Sequence, residues 1–380
     1  MNYLQSWFQT CVNKKGWLYI LAMWLFSRLT IIVAMQVITP LIFTNPVNPE
    51  WTPHDFPLDY VPGFIPKPSW ELFSHWDGKW YHSIATKGYE YVNDGDEHSI
   101  AFFPLFPLVI RGVMTLGLPF EIAGTLVNNL AFLGAMAILY FWVEEQYGTN
   151  AARWAIALMA WCPYSLFGTV IYTEGLFLLL TTACLWTFHR HHYGWSAIWG
   201  AMATATRVPG ICLLPALLFV AWKERRPLIA YVAALGVSGG LLLFSLYCYL
   251  QFGDALAFVH AQVGWEETSW LEILTDAVST LDRDSILTLL TLIGVPYLFW
   301  RLRTRMPLGA TTFGFCVMGL LLAAGATDSF YRFTYGIASL FLGSGILIAR
   351  HPRWGYGIIG LFVPLLILDA VDFASWAWVQ

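Results

Sequence analysis

The sequence predicts an all-α integral membrane protein, with residues 1–380 forming one multi-span bundle of about eleven transmembrane helices. Two observations lead to this fold class. Hydrophobic residues make up 58% of the chain and charged residues only 12%. Apolar stretches long enough to cross a hydrocarbon layer of about 30 Å recur from Trp17 to the last residues. Because the hydrophobic residues are spread along the whole chain, a soluble protein with a single anchor is excluded.

The distribution of basic residues predicts how these helices are oriented. Lys and Arg are enriched in cytoplasmic connections. Here they cluster at Lys14-Lys15, Arg153, His189-Arg190, Lys223/Arg225/Arg226, Arg301/Arg303/Arg305 and Arg350/Arg353, always in short connections. We expect all of these clusters on the cytoplasmic side, so their positions are more informative than the formal net charge of −4.

Two long connections, residues 44–121 and 251–284, are rich in Asp, Glu, Trp and Pro, and we expect them on the extracytoplasmic side. The first apolar run lacks a small-residue cleavage site and is expected to remain as a helix. The predicted spans are 17–43, 122–145, 153–171, 175–190, 195–206, 210–222, 228–250, 285–300, 307–325, 336–350 and 355–372. Functional residues are expected in the two long connections.

Two segments are too short for full spans. Residues 101–118 contain two prolines and Arg111 within a short apolar run, so we expect an interfacial or re-entrant helix on the outer surface. Residues 195–206 and 210–222 are expected to form a half-height hairpin whose tip carries Arg207. The alternative is one bent helix over 195–222, which would place His189 to His192 outside.

Metal and nucleotide chemistry find little support in the sequence. The cysteines lack the spacing of a disulfide framework or zinc site and are expected in the core: Cys11, Cys162, Cys184, Cys212, Cys248 and Cys316. The run from His189 to His192 could bind a metal, but its place after an apolar helix favours contact with lipid headgroups. Asp282-Arg283-Asp284 imitates an Asp-X-Asp motif, but its place before a span is typical of helix caps. We therefore expect no metal or other cofactor.

The densest polar cluster near an apolar surface lies in the first long connection, from Phe73 to Tyr89. Around one carboxylate, Asp77, it places His75, Trp76, Lys79, Trp80 and Tyr81. Aromatic rings favour the membrane interface, where partial desolvation raises the basicity of a carboxylate and a nearby cation moderates it. Asp77 is therefore a candidate general base for a sugar or lipid hydroxyl. The residues alone leave open that Asp77 only caps an interfacial helix.

Several motifs occur in a recognisable order. His-Trp-Asp-Gly-Lys-Trp-Tyr at 75–81 is followed by Ile-Ala-Thr-Lys-Gly-Tyr at 84–89, Ala-Phe-Phe-Pro-Leu-Phe-Pro at 101–107, Tyr-Thr-Glu-Gly-Leu-Phe at 172–177, Thr-Arg-Val-Pro-Gly at 206–210, the stretch 252–262 with Trp265, and Arg332 before Phe333. This series resembles the PIG-V-type mannosyltransferases of the GT-C superfamily. Val208-Pro209 stands where the family has Ser-Asn, and Gly175 where it has Ser, which leaves the acceptor open.

The resemblance implies a GT-C bundle that carries out inverting transfer of a sugar, mannose or another hexose. The donor would be a polyprenyl-phosphate sugar, the acceptor a lipid-linked sugar or glycan, and the base an acid in the first outer loop. A departing phosphate needs a cation, and arginine offers a bidentate fork. Arg332 and Arg207 are best placed for this role, followed by Arg111 and Lys79. Other expected substrate contacts are His75, Trp76, Trp80, Tyr81, His98, Glu174, His260, Gln262 and Trp265.

For some charged residues a structural role is an alternative to a functional one. Arg28 lies inside the first span, where an uncompensated charge is costly, and we expect a structural partner for it. Arg332 could pair with Asp328, four residues earlier, instead of binding phosphate. Asp254 and the pair Glu266-Glu267 could contact the acceptor or simply be solvated.

Two other functions fit a multi-span chain. A transporter or flippase of lipid-linked sugars should show internal repeats and broken helices in both halves, whereas here the polar groups gather at one face. A non-catalytic subunit is harder to separate, although the presence of both Asp77 and Arg332 argues against it. The expected partners are the donor, the acceptor and membrane lipids, without nucleic acid. The expected location is the plasma membrane of a bacterium or the endoplasmic reticulum of a eukaryote.

Overall fold

The computed structural model describes residues 14–44, 65–264, 275, 283–323, 329–377 and 379, and every regular element in these ranges is a helix. Helix α1 covers Lys14–Ile42 and includes a π-helical turn. The others are α2 (Asp77–Thr86), α3 (Leu105–Met114), α4 (Phe120–Tyr147), α5 (Thr149–Trp161), α6 (Glu174–His189), α7 (Tyr193–Thr204), α8 (Leu213–Lys223), α9 (Leu228–Gly236), α10 (Gly239–Phe252), α11 (Ala257–His260), α12 (Arg283–Leu302), α13 (Leu308–Ala323), α14 (Phe330–Tyr335), α15 (Ala338–Ile348) and α16 (Pro352–Ala374).

Four helices within these ranges are long and apolar enough to cross a membrane: Lys14–Ile42, Phe120–Tyr147, Leu228–Phe252 and Pro352–Ala374. Shorter apolar helices accompany them, and α6 packs at the centre between α4 and α7. Nearly all of α6 is buried, as expected for a helix that is apolar on every side. The predicted all-α membrane class is confirmed in this form.

Basic residues from several connections gather at one end of the bundle. Arg190 pairs with Glu145 at 2.5 Å, and the Tyr147 hydroxyl donates a hydrogen bond to the Arg305 carbonyl at 2.7 Å. The Tyr19 hydroxyl lies 3.5 Å from the Arg153 carbonyl. The contacts thus join short connections that the charge pattern assigns to one side of the membrane.

Parts of the two long connections meet at the opposite end. The Tyr91 hydroxyl donates to Asp254 Oδ2 at 3.3 Å. A separate apolar cluster lies beneath this contact and joins Ile100 and Phe103 of the first connection to Phe244 and Phe258. The two connections therefore share a face of the molecule.

The segment 101–118 contains one short helix, α3, whose ten residues rise about 15 Å, half the thickness of a hydrocarbon core. Its first amide, that of Leu105, donates to the carbonyl of Ala205 at 2.9 Å, so it lies beside the tip of the α7–α8 hairpin. This geometry agrees with the expectation that the segment does not cross the membrane.

Helices α7 and α8 form a hairpin. At its open end, Arg226 follows α8 and donates to the carbonyl of Phe188 at 2.7 Å, close to the start of α7. At its tip, Arg207 pairs with Glu174 at the beginning of α6. A single bent helix would separate Arg226 from Phe188, so the alternative over 195–222 is wrong.

The predicted span 153–171 needs correction, because α5 ends at Trp161, where a short 3₁₀ helix, Pro163–Gly168, and then a buried irregular stretch follow. Pro163 removes a backbone donor there, and irregular backbone at membrane depth needs partners inside the protein. Arg28 donates to the carbonyls of Ala160 and Ser165, at 3.3 and 2.9 Å. Asn128 donates to Phe167 and Val170 carbonyls further along. Arg28 thus has the structural role expected from the sequence.

Candidate active site

Asp77 is the first residue of α2, at the end of the molecule where the long connections meet. The preceding residue, Trp76, has φ 53° and ψ −120°, a backbone conformation that costs a residue with a side chain about 1–3 kcal/mol. The Asp77 amide donates to the Tyr172 hydroxyl at 3.3 Å. This turn directs the Asp77 carboxylate toward the start of α6 and toward α14.

Arg332, on α14, is the cation that contacts Asp77. Its Nη1 donates to Asp77 Oδ2 at 2.6 Å, and its Nη2 donates to Ser329 Oγ at 3.0 Å. The Asp77 side chain is 18% exposed and that of Arg332 11%. The carboxylate therefore takes part in a largely buried ion pair with Arg332.

Glu174 extends this pair into a line of four charges. Its Oε1 lies 3.4 Å from Arg332 Nε and accepts a hydrogen bond from Arg207 Nη1. The Glu174 side chain is fully buried, and its other oxygen, Oε2, accepts no hydrogen bond from the residues that the structure describes. One carboxylate thus holds two guanidinium groups side by side.

The order Asp77, Arg332, Glu174, Arg207 alternates in sign, so the buried charges balance. Burial opposes the charge on Arg332, but the carboxylates of Asp77 and Glu174 outweigh burial and raise the pKa of Arg332 above its ordinary value. Phe333 packs 4.5 Å from the Arg207 guanidinium, and Tyr172 lies 4.9 Å from that of Arg332. Two carboxylates, two fixed guanidinium groups and an adjoining cavity lined in part by Trp76, Tyr172 and Arg332 therefore lie together here.

Two aromatic residues of α2, Trp80 and Tyr81, pack against α3 and the residues that lead into it. Trp80 stacks on Phe102 at 5.8 Å, and Tyr81 meets Phe102 and Phe106 edge-on. Burial, and then the negative charge of Asp77, raise the pKa of the Tyr81 hydroxyl, so it stays neutral. Both rings are buried within the described structure, which favours packing of α2 as their main contribution.

His75 and Lys79, the groups expected to moderate Asp77, turn toward a different part of the chain. His75 Nδ1 lies 2.9 Å from the Phe373 carbonyl, and its ring stacks on Trp376 at 4.0 Å. Lys79 Nζ lies 4.5 Å from the centre of the Trp376 ring. Burial lowers the pKa of His75 to about 3, partly opposed by the Phe373 carbonyl, so this histidine is neutral.

The remaining predicted residues lie away from the four charges. His98 contacts Asp94, and His260 contacts Asp254, each at 2.7 Å. These four residues of the two long connections are called the rim below. Arg111 and Gln262 are exposed, and Trp265, Glu266, Glu267, Asp282 and Asp328 lie outside the described residues. In the opposite part of the molecule, His189 contacts Gln146 and His191 contacts Tyr193.

Sequence reasoning missed three residues that shape the site. Tyr172 stands out in the sequence only as part of the motif at 172–177, yet its hydroxyl accepts a hydrogen bond from the Asp77 amide. Phe373 and Trp376 come from the far end of the chain and pack on His75. A tryptophan directly after a long apolar helix was the available signal, although it is also what the membrane interface favours.

The fold and the site define an all-helical membrane protein with a cluster of four buried charges. The fold is similar to that of ArnT from Cupriavidus metallidurans, solved with undecaprenyl phosphate bound, with a TM-score of 0.56 and 14% identity. That match covers 92% of this chain and 63% of the other.

The profile of the mannosyltransferase (PIG-V) family matches residues 19–235, and the chain belongs to this family. Human GPI alpha-1,6-mannosyltransferase 2 is 29% identical over 205 residues, which cover 47% of this chain and 41% of the human protein. GPI mannosyltransferase 2 of Drosophila pseudoobscura pseudoobscura is 30% identical over 114 residues, covering 27% and 24%. The chain thus spans less than half the length of these relatives. The family match includes Asp77, Glu174 and Arg207 and ends before Arg332.

Proposed function

We propose that this protein is an inverting glycosyltransferase that moves mannose, or another hexose, from a polyprenyl-phosphate donor to a lipid-linked or glycan acceptor. The observation that carries the proposal is the 2.6 Å contact between Asp77 and Arg332 inside the buried line of charges. A base and a phosphate-binding cation must lie near each other for a single displacement at the anomeric carbon. Family membership supports sugar transfer.

Asp77 would act as the general base. Arg332 donates to Oδ2, and Oδ1 would accept the proton of the attacking hydroxyl. The acceptor oxygen would form a bond to the anomeric carbon as the bond between that carbon and the phosphate oxygen breaks. Asp77 takes the proton, and the electron pair of the broken bond leaves with the phosphate.

The leaving phosphate would be stabilised by Arg332, with Arg207 beside it. A guanidinium group carries five N–H donors and can bridge a carboxylate and a phosphate at once. Because Glu174 fixes both arginines before substrate arrives, little reorganisation is needed when negative charge develops on the phosphate oxygen. Lys79 is a second source of positive charge on the same helix as Asp77.

We also propose that about eleven spans, with the N terminus in the cytoplasm, place the four charges at the extracytoplasmic surface. The acceptor would enter beside the rim formed by His98 and His260. A donor carried on a long polyprenyl chain would reach the site from the bilayer, which explains why the charges lie at one end of an apolar bundle.

The test is transfer from synthetic polyprenyl-phosphate mannose and polyprenyl-phosphate glucose by the purified protein, with membrane-lipid extract as acceptor source and mass spectrometry of the products. Transfer is expected to persist with a chelator present.

Asp77→Asn should lower turnover about 100-fold or more while donor binding is retained, as expected for loss of a general base. Glu145→Gln, which changes an exposed carboxylate at the other end of the bundle, is the matched control. Near-normal turnover by a folded Asp77→Asn protein would remove Asp77 from the role, and donor movement across vesicles without transfer would favour a flippase.

A further inference from the structure

The segment that ends the last long helix packs against the turn that carries Asp77. Helix α16 ends with a Schellman motif: the Ala377 amide donates to the Asp372 carbonyl at 2.9 Å, and the Trp376 amide donates to the Phe373 carbonyl at 3.2 Å. Trp376 occupies the left-handed position of this motif, with φ 67°. Glycine is usual there, because a side chain in this conformation costs about 1–2 kcal/mol.

The ring of Trp376 contacts three residues on either side of Asp77. It stacks on His75 at 4.0 Å with 22° between the planes, and it meets the Trp76 ring at 5.6 Å. Lys79 Nζ lies 4.5 Å from its centre. These three residues flank Asp77 in the sequence, so the ring packs on the side chains of the turn that presents the carboxylate.

A hydrogen bond joins the same two segments. The Phe373 carbonyl lies at the C-terminal end of α16, where carbonyls carry partial negative charge, and it has a second lone pair besides the one that accepts the Trp376 amide. It accepts a hydrogen bond from His75 Nδ1, which must carry the proton because a carbonyl can only accept. His75 is 3% exposed, so this bond is shielded from water.

The turn needs such support because its backbone is strained. Trp76 holds φ 53° immediately before Asp77, and strained residues persist only where the surroundings hold them in place. Two tryptophans with positive φ therefore face each other beside the carboxylate. If either ring were lost, relaxation of Trp76 would rotate the first turn of α2 and move Asp77.

We infer that Trp376 is a positioning residue for the reaction, and that the segment Phe373–Trp376 clamps the His75–Trp76 turn to hold Asp77 in its catalytic orientation. This inference rests on the proposed role of Asp77. The segment Phe373–Trp376 lies outside residues 19–235, whereas the turn that it holds lies within them.

The test uses Trp376→Gly, which removes the ring and suits the left-handed backbone, so the end of α16 is kept. Turnover should fall about 10- to 100-fold, as expected when a catalytic group is misplaced by about 1 Å, while the KM for polyprenyl-phosphate mannose changes less than about twofold. Trp376→Phe keeps a stacking ring and should restore turnover to within about threefold of wild type. Trp354→Ala removes a 72% exposed tryptophan from the other end of α16 and is the matched control.

A second readout does not depend on activity. The amides of Gly78 and Lys79 bond to the His75 and Trp76 carbonyls, each at 3.0 Å, and they report on the turn directly. Hydrogen–deuterium exchange in a peptide covering 73–86 should become about 10-fold faster in Trp376→Gly and stay unchanged in Trp354→Ala. Should Trp376→Gly fail to fold, His75→Asn keeps a donor near the position of Nδ1 and loses the stacked ring. It should lower turnover about 10-fold.

Unchanged turnover and unchanged exchange in either folded variant would overturn the clamp, as would a defect confined to donor KM. If Asp77→Asn is fully active, the proposed base is wrong, but faster exchange in Trp376→Gly would still establish the contact between the two segments. Failure of the clamp and failure of the base are therefore distinguishable.

Discussion

Charged residues serve different purposes at the two ends of this bundle. At one end, Asp77, Glu174, Arg207 and Arg332 are at most 18% exposed and contact one another in a continuous line. At the other end, Arg190 pairs with Glu145 at 2.5 Å, but the two side chains are 25% and 47% exposed. Burial makes charges expensive unless each is compensated, whereas exposed pairs contribute little. The comparison teaches that the exposed charges report orientation, while the buried ones form a site.

The sidedness of the two ends can be tested by cysteine labelling, with an all-or-none result expected. Single cysteines at Asp94 and Thr149, both exposed, should react with impermeant reagents from opposite sides of a sealed vesicle. The physical reason is the enrichment of Lys and Arg in cytoplasmic connections. A background in which Cys11 is replaced by Ser is the control. Labelling of both positions from one side would contradict the topology and the outward placement of Glu174.

Glu174→Gln should cause the largest loss of stability, much larger than substitutions of the exposed pair at the other end. Removing this carboxylate leaves two buried guanidinium groups with one remaining partner, so the free energy of unfolding should fall by about 3–5 kcal/mol. Equilibrium unfolding in mixed micelles measures the change. Donor affinity should fall as well, because Arg332 and Arg207 lose the group that holds them together. A stability loss under about 1 kcal/mol would mean that the line of charges is not cooperative.

Arg332→Lys keeps the charge and loses the fork, so affinity for undecaprenyl phosphate should fall by about 1–3 kcal/mol, and Arg332→Ala should be worse. A binding titration on the folded fraction measures the change, with Arg111→Ala as control because Arg111 is exposed. Equal affinity of wild type and Arg332→Ala, together with lower stability, would indicate that Arg332 only compensates Asp77 and Glu174.

The smallest effect is expected for the exposed pair. Arg190→Gln and Glu145→Gln should each change the free energy of unfolding by less than about 1 kcal/mol, with turnover unchanged, because solvent screens the interaction. The same unfolding titration provides the value. A loss comparable to that of Glu174→Gln would show that burial does not separate the two ends.

Local pattern sufficed for the membrane class, the short helix in 101–118 and the hairpin with Arg207 at its tip. Hydropathy and helix length depend on about ten to thirty consecutive residues, so they can be predicted from the local sequence. The prediction failed at 153–171, where the apolar pattern continues although the helix stops at Trp161. Apolar side chains suit buried irregular backbone as well as they suit a helix, and the partner that makes the break possible, Arg28, lies far away in sequence.

The sequence by itself determined which residue types are available for chemistry: the carboxylate of Asp77 among aromatic rings, and the arginines at positions 207 and 332. Only the tertiary structure decided that Asp77 meets Arg332 across 255 positions and that Glu174 joins Arg332 to Arg207. It also decided that His75 faces Trp376 and the Phe373 carbonyl. The physical reason is that compensation of buried charge depends on which helices pack together, and that information is shared among segments distant in the chain.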